Sequence, residues 1–117
     1  DDQISTPTWA RILAQMTTQV IVTKINDSIN FLSSISGLYH LSSRGSCSRY
    51  EWAQTVLQND PNKHEQIVKN LLTAKSDEFL TPTKRPTRST LSCEKFEKAL
   101  EFKIPNWQSV LDLAMSD

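Results

Sequence analysis

Gly37-Leu-Tyr-His-Leu-Ser-Ser-Arg-Gly-Ser-Cys-Ser-Arg-Tyr-Glu-Trp-Ala53 is the stretch on which a fold assignment turns. Its first part alternates, with Leu38, His40 and Ser42 on one face and Tyr39 and Leu41 on the other, which predicts a short strand over 37–43. Arg44-Gly45-Ser46 reads as a turn. Ser48 and Glu51 then stand at capping-box spacing, so a helix starts there. Trp52, Ala53, Val56 and Leu57 are its expected buried face, and Asp60-Pro61 its end. His40 is either a site residue or a half-buried structural imidazole; with no partner in view the structural role is preferred.

Working outward, Thr6-Pro7-Thr8 reads as a second helix start, with Thr6 as N-cap and Pro7 at the first helical position. Apolar residues at Trp9, Ile12, Leu13, Met16 and Val20 continue that helix to about Lys24, with Trp9 expected in the core. Residues 25–36 carry little pattern and read as a connecting loop. Further on, a short helix or turn is expected at 62–68 and a strand near 69–74. Ser92 is the expected cap of a helix bearing Phe96, Ala99 and Leu100, with Phe102 and Ile104 tucked back against it. Pro105-Asn106 restarts the chain as a last helix with Trp107, Val110, Leu111 and Ala114 inward. The sum is an α/β fold: a small, helix-rich domain with a few short strands.

Between these elements lies Thr81-Pro-Thr-Lys-Arg-Pro-Thr-Arg-Ser-Thr-Leu91. Pro82 and Pro86 hold the residues before them, Thr81 and Arg85, out of helical geometry. Lys84, Arg85 and Arg88 make the loop basic, and an arginine held so can offer its planar fork to a phosphate or a carboxylate. The plainer alternative is a solvated basic turn.

Composition narrows the classes. The 117 residues and 38% hydrophobic content suit one modest core. Thirteen basic and thirteen acidic residues cancel, which argues against a nucleic-acid partner, since that needs a broad basic field. No apolar run approaches the roughly 18 residues of a membrane span, and no secretory leader is seen, so a cytoplasmic protein is expected. Cys47 and Cys93 lack metal-ligand spacing and read as two buried, reduced thiols. The opening Asp1-Asp2-Gln3-Ile4, without a Met, reads as a piece of a longer protein.

The missing chemistry is informative. With only Gly37 and Gly45, neither a dinucleotide-binding GxGxxG nor a GKS/T phosphate loop can be built. Tyr39 and Tyr50 are followed four residues on by Ser43 and Gln54, so no Tyr-x-x-x-Lys pair exists. A Gly-x-Ser-x-Gly elbow is absent as well. The acidic pairs Asp1/Asp2 and Asp77/Glu78 are most simply solvated. By itself the chain does not read as a complete enzyme, and it offers no catalytic residue of its own.

Three separated motifs nevertheless point one way. Asp2-Gln3-Ile4-Ser5-Thr6-Pro7-Thr8 is similar to the Asp-Gln-x-Gly-x-Pro-Thr segment of the dTDP-4-dehydrorhamnose reductases. Gly37-Leu-Tyr-His-Leu-Ser42 with Ser48-Arg-Tyr-Glu-Trp-Ala53 resembles their strand–turn–helix. Thr81–Leu91 with Lys95-Phe96 resembles their Thr-Pro-x-x-Arg-Pro-x-x-Ser-x-Leu…Lys-Phe close, and Pro105-x-Trp107 follows in the same order. Ser5 departs from the pattern, which has Gly there; were φ positive at that position, Ser would cost about 1 kcal/mol.

The resemblance implies a C-terminal, substrate-binding domain (residues 1–117) of an extended short-chain dehydrogenase, preceded in the parent by a Rossmann domain. That absent half would bind NADPH or NADH and carry Tyr-x-x-x-Lys. The implied reaction is reduction of the 4-keto group of dTDP-6-deoxy-L-lyxo-4-hexulose to dTDP-L-rhamnose. The implied partners are a dTDP-linked deoxysugar and the chain's own Rossmann domain. Asp2, Gln3, Thr8, Arg85 and Ser89 are the implied substrate-side residues, with Arg85 either on the diphosphate or tying down its loop. Magnesium is described for some members of the family, and no carboxylate cluster here places it. Two other readings stay open: a non-catalytic regulatory module of the same fold, as in the methionine adenosyltransferase regulatory subunit, and an epimerase or reductase of another sugar nucleotide. An apolar face left by the missing half would favour a homodimer of the isolated piece.

Overall fold

A computed structural model of the chain describes residues 2–25, 33–79, 82–83 and 85–116. Most of the expected connecting loop, and Thr81 and Lys84 of the basic loop, lie outside these. Four α-helices are found among the described residues: α1 (Ala10–Ile25), α2 (Arg49–Asn59), α3 (Glu94–Leu100) and α4 (Trp107–Met115). Two short strands, β1 (Ile4–Ser5) and β2 (Cys47–Ser48), pair antiparallel with Ile4 opposite Ser48 and Ser5 opposite Cys47. The helix-rich α/β expectation holds.

Local signals set several boundaries. At the start of α2 the Ser48 hydroxyl accepts from Glu51 N at 3.0 Å, and the Glu51 carboxylate accepts from Ser48 N at 2.7 Å. That reciprocal box satisfies two amides that a helix start otherwise leaves open. The helix ends before Asp60, whose carboxylate takes hydrogen bonds from the Gln66 amide and the Asn62 backbone. Asn106 caps α4, its side chain accepting from Trp107 N. Trp107 and Val110 are buried on that helix, as their spacing predicts.

Other expectations are corrected. Thr6 does not cap α1, because its hydroxyl donates instead to Gly45 O at 2.8 Å; the helix begins at Ala10. Trp9 is half-buried under the Arg11 guanidinium, 5.4 Å from its ring centroid, rather than in the core. Residues 37–43 form no strand; the backbone bridge falls only at Arg44, whose N donates to Pro105 O and whose O accepts from Trp107 N. Their side-chain alternation holds only from Leu38 to Leu41, with Tyr39 and Leu41 packed on the core and His40 exposed, not half-buried, and it fails at Ser42, which is buried against Cys93. The strand expected near 69–74 is irregular backbone, after a single 3₁₀ turn at Lys63–Glu65. Cys93, not Ser92, precedes α3. Trp52 stays 44% exposed, so the face expected to be buried on α2 is only partly covered. Ser5 lies in β1, and Glu101 is the one non-glycine with positive φ among the described residues, so the substitution at Ser5 carries no strain.

The core gathers Met16 from α1, Cys93, Phe96 and Leu100 around α3, and Ile104 after it. Phe96 meets Tyr39 edge-on and stacks on Phe102, each at 6.4 Å between centroids. Both cysteines are free and buried. Burial, followed by the nearby Glu51 carboxylate, pushes the Cys47 thiol pKa up.

Candidate functional site

The site is built around β1. On one edge Ile4 and Ser5 pair with β2. On the other, Ile4 N donates to Thr87 O at 2.8 Å and Ser89 N donates to Ile4 O at 2.9 Å. One two-residue strand therefore joins the N-terminal segment, the start of α2 and the basic loop. Beside it opens a cavity of about 840 Å³, lined by Asp2, Gln3 and Arg85 together with Arg49, Tyr50 and the segment around residues 71–79.

Three of the five expected site residues thus meet in one cavity, although Arg85 lies far along the chain from Asp2 and Gln3. Thr8 and Ser89 are not part of its lining. The Thr8 hydroxyl donates to Thr6 O at 3.2 Å and accepts from Ser43 N at 3.1 Å, a role that fixes the approach to α1. Ser89 serves through its backbone, on Ile4, and Thr87 rather than Ser89 faces the cavity.

Asp2 is exposed, and its carboxylate is engaged: Ser76 Oγ donates to it at 2.8 Å and Ser76 N at 3.1 Å. The Ser76 side chain chiefly, with its backbone amide, holds the Asp2 pKa below the usual aspartate value. A depressed carboxylate contributes its tether fully above the ordinary aspartate pKa and loses it as pH falls through the lowered value. Acid titration followed by NMR is therefore expected to show the Asp2 carboxyl and the Ser76 amide shifting together, below the range of an unperturbed aspartate. Titration of Asp2 at the ordinary value would remove the tether from the account.

Arg85 is exposed, and no carboxylate among the described residues pairs with it. Sequence reasoning did not single out Arg49, Tyr50 or the 71–79 segment. The first two belong to a helix start read for its cap and as part of a motif but given no site role, and the third was expected to be strand only near 69–74. Among the described residues no three His, Cys, Asp or Glu side chains gather, so no all-protein metal cage is formed by them. Nor do they form a dinucleotide cradle: Gly45 is closed in by Asn106 and Trp107, and Gly37 lies against Lys95 and Tyr39. No helix among the described residues is long and apolar enough to cross a membrane.

Known proteins resemble this chain in sequence and in fold. The dTDP-4-dehydrorhamnose reductase of Escherichia coli K12 is 31% identical over 109 residues, which is 92% of this chain and 35% of that protein. The crystal structure of the Bacillus anthracis dTDP-4-dehydrorhamnose reductase in complex with NADP superposes with a TM-score of 0.73 at 28% identity, over 96% of this chain and 34% of that one. A Clostridium acetobutylicum dTDP-4-dehydrorhamnose reductase structure shares the fold, with a TM-score of 0.74 at 24% identity over 98% of this chain and 36% of its own. The chain therefore spans about a third of the length of the relatives it matches. The family model described as RmlD substrate binding domain matches residues 1–117, and the chain belongs to that family.

Proposed function

We propose that this chain is the substrate-side domain of a dTDP-4-dehydrorhamnose reductase, working with an N-terminal Rossmann domain that binds NADPH or NADH. The reaction would be reduction of the 4-keto group of dTDP-6-deoxy-L-lyxo-4-hexulose to dTDP-L-rhamnose, in the cytoplasm. Hydride, and the Tyr-x-x-x-Lys proton donor, belong to that other half. The observation that carries this reading is the meeting of Asp2, Gln3 and Arg85 on one open cavity.

Each residue has a distinct task. The Arg85 fork binds the negative diphosphate, and its charge-assisted hydrogen bonds fix the ligand's register. Gln3 carries both a donor and an acceptor, which suits sugar hydroxyls. Asp2, occupied by Ser76, holds the 74–77 segment against the cavity rather than touching the sugar. Thr8 and Ser89 support this wall from behind.

Arg85→Ala in the full-length protein is expected to weaken dTDP-sugar binding about 10- to 100-fold, the loss typical of one hydrogen bond to a charged group. Unchanged affinity would remove Arg85 from the site. Reading the coding sequence upstream of Asp1 tests the wider proposal. A glycine-rich strand-to-helix turn followed by Tyr-x-x-x-Lys supports a reductase, and a Rossmann half lacking that pair argues for a binding module.

A further inference from the structure

Arg49 is the first residue of α2, directly after the Ser48 cap. A helix start presents the positive end of the backbone dipole, so a cation is the least favourable charge to place there. The acid that could offset it, Glu51, turns its carboxylate back onto Ser48 N. No carboxylate among the described residues forms an ion pair with Arg49, and its side chain is exposed on the cavity wall. Stability of α2 gives no account of this arginine. A ligand does.

Arg85 reaches the same cavity from a separate segment, likewise without an ion-pair partner among the described residues. Two arginines lining one cavity suit an anion with two charged groups better than one with a single group. Around them Tyr50, Leu71, Leu72 and Phe79 supply aromatic and apolar wall, which suits the flat ring of a nucleoside. We infer that Arg49 and Arg85 together form a two-guanidinium clamp on the diphosphate of a nucleoside diphosphate ligand. The inference rests on the reading of this cavity as the sugar-nucleotide site, and adds to it Arg49, to which the Ser48–Ala53 motif assigned no role; Lys75 lines the same cavity.

The test is calorimetric titration of the full-length protein with dTDP, dTMP and thymidine, beside thermal melts. Arg49→Ala is expected to weaken dTDP about tenfold or more, to weaken dTMP less, and to leave thymidine nearly unchanged; Arg49→Lys recovers part of the loss. Melting separates this from a packing role, because removing a cation from the helix start leaves Tm unchanged or raises it, and Arg49→Glu raises it further while weakening dTDP most. If Arg49→Ala binds dTDP like wild type while Arg85→Ala does not, the clamp is wrong and the cavity reading stands. An equal loss of thymidine and dTDP with a lowered Tm likewise overturns the clamp, by making Arg49 a packing residue. Failure of the wild type to bind dTDP removes both the cavity reading and the clamp.

Discussion

Replacing Gly45 by alanine is expected to destabilise the domain by about 2–3 kcal/mol, summed from a left-handed residue and a damaged helix cap. Gly45 has φ +83°, where a side chain is strained. A Cβ there would stand 2.5 Å from Asn106 Oδ1 and 3.0 Å from Trp107 Cδ1. Neither neighbour moves freely, since Asn106 caps α4 and Trp107 is 4% exposed. The carbonyl of Gly45 also accepts from Thr6, so a shift of the turn disturbs the approach to α1. Urea denaturation provides the measurement, with the midpoint falling and the slope unchanged. Asn106→Gly in the Gly45→Ala background should return part of the loss by making room, a non-additivity that a double-mutant cycle detects. A Gly45→Ala protein as stable as wild type would show that the turn relaxes without cost.

Phe96→Ala is expected to have the larger effect, about 3–5 kcal/mol, from lost burial and the cavity left behind. Phe96 is 6% exposed and sits between Tyr39, Phe102, Met16 and Ile104, so its removal opens the middle of the core. A small domain has about 5–15 kcal/mol in total. Among the described residues no side chain falls below 2% exposure, so little other tightly packed core is there to compensate. Near-ultraviolet circular dichroism should lose its aromatic signal at a temperature where wild type keeps it. Phe96→Leu, which keeps most of the volume, should cost roughly 1 kcal/mol. Equal melting of Phe96→Ala and wild type would contradict the core assignment.

What was legible in the sequence follows the range of each interaction. The Ser48–Glu51 box and the Asn106 cap are satisfied within a few residues, so their spacing alone announces them. The core positions of α3 and α4 were equally plain, because one face of each must be apolar. The expected cap at Thr6 fails because a distant carbonyl, Gly45 O, competes for its hydroxyl. The expected strand over 37–43 fails because side-chain alternation does not say which backbone will supply a ladder. Leu72, in the strand expected near 69–74, is 82% exposed, so that segment lacks the burial that would hold a strand. At the site, Asp2, Gln3 and Arg85 came from short motifs. Arg49 carried only a faint signal, a cation following a cap, which gains meaning once the cavity beside it is seen.

The clasp at Ile4 has a consequence for the order of assembly. Its two edges close loops of about 40 and about 80 residues, and the entropy cost of closure rises, though slowly, with length. Helices α2 and α4 can form from neighbouring residues, whereas the cavity wall waits for residues 3–5 to meet residues 87–89. Ile4 and Ser89 amides should consequently exchange with solvent through a local opening that leaves the Phe96 core closed. A backbone cut at Ile4 would then open the cavity wall while sparing the Phe96 core.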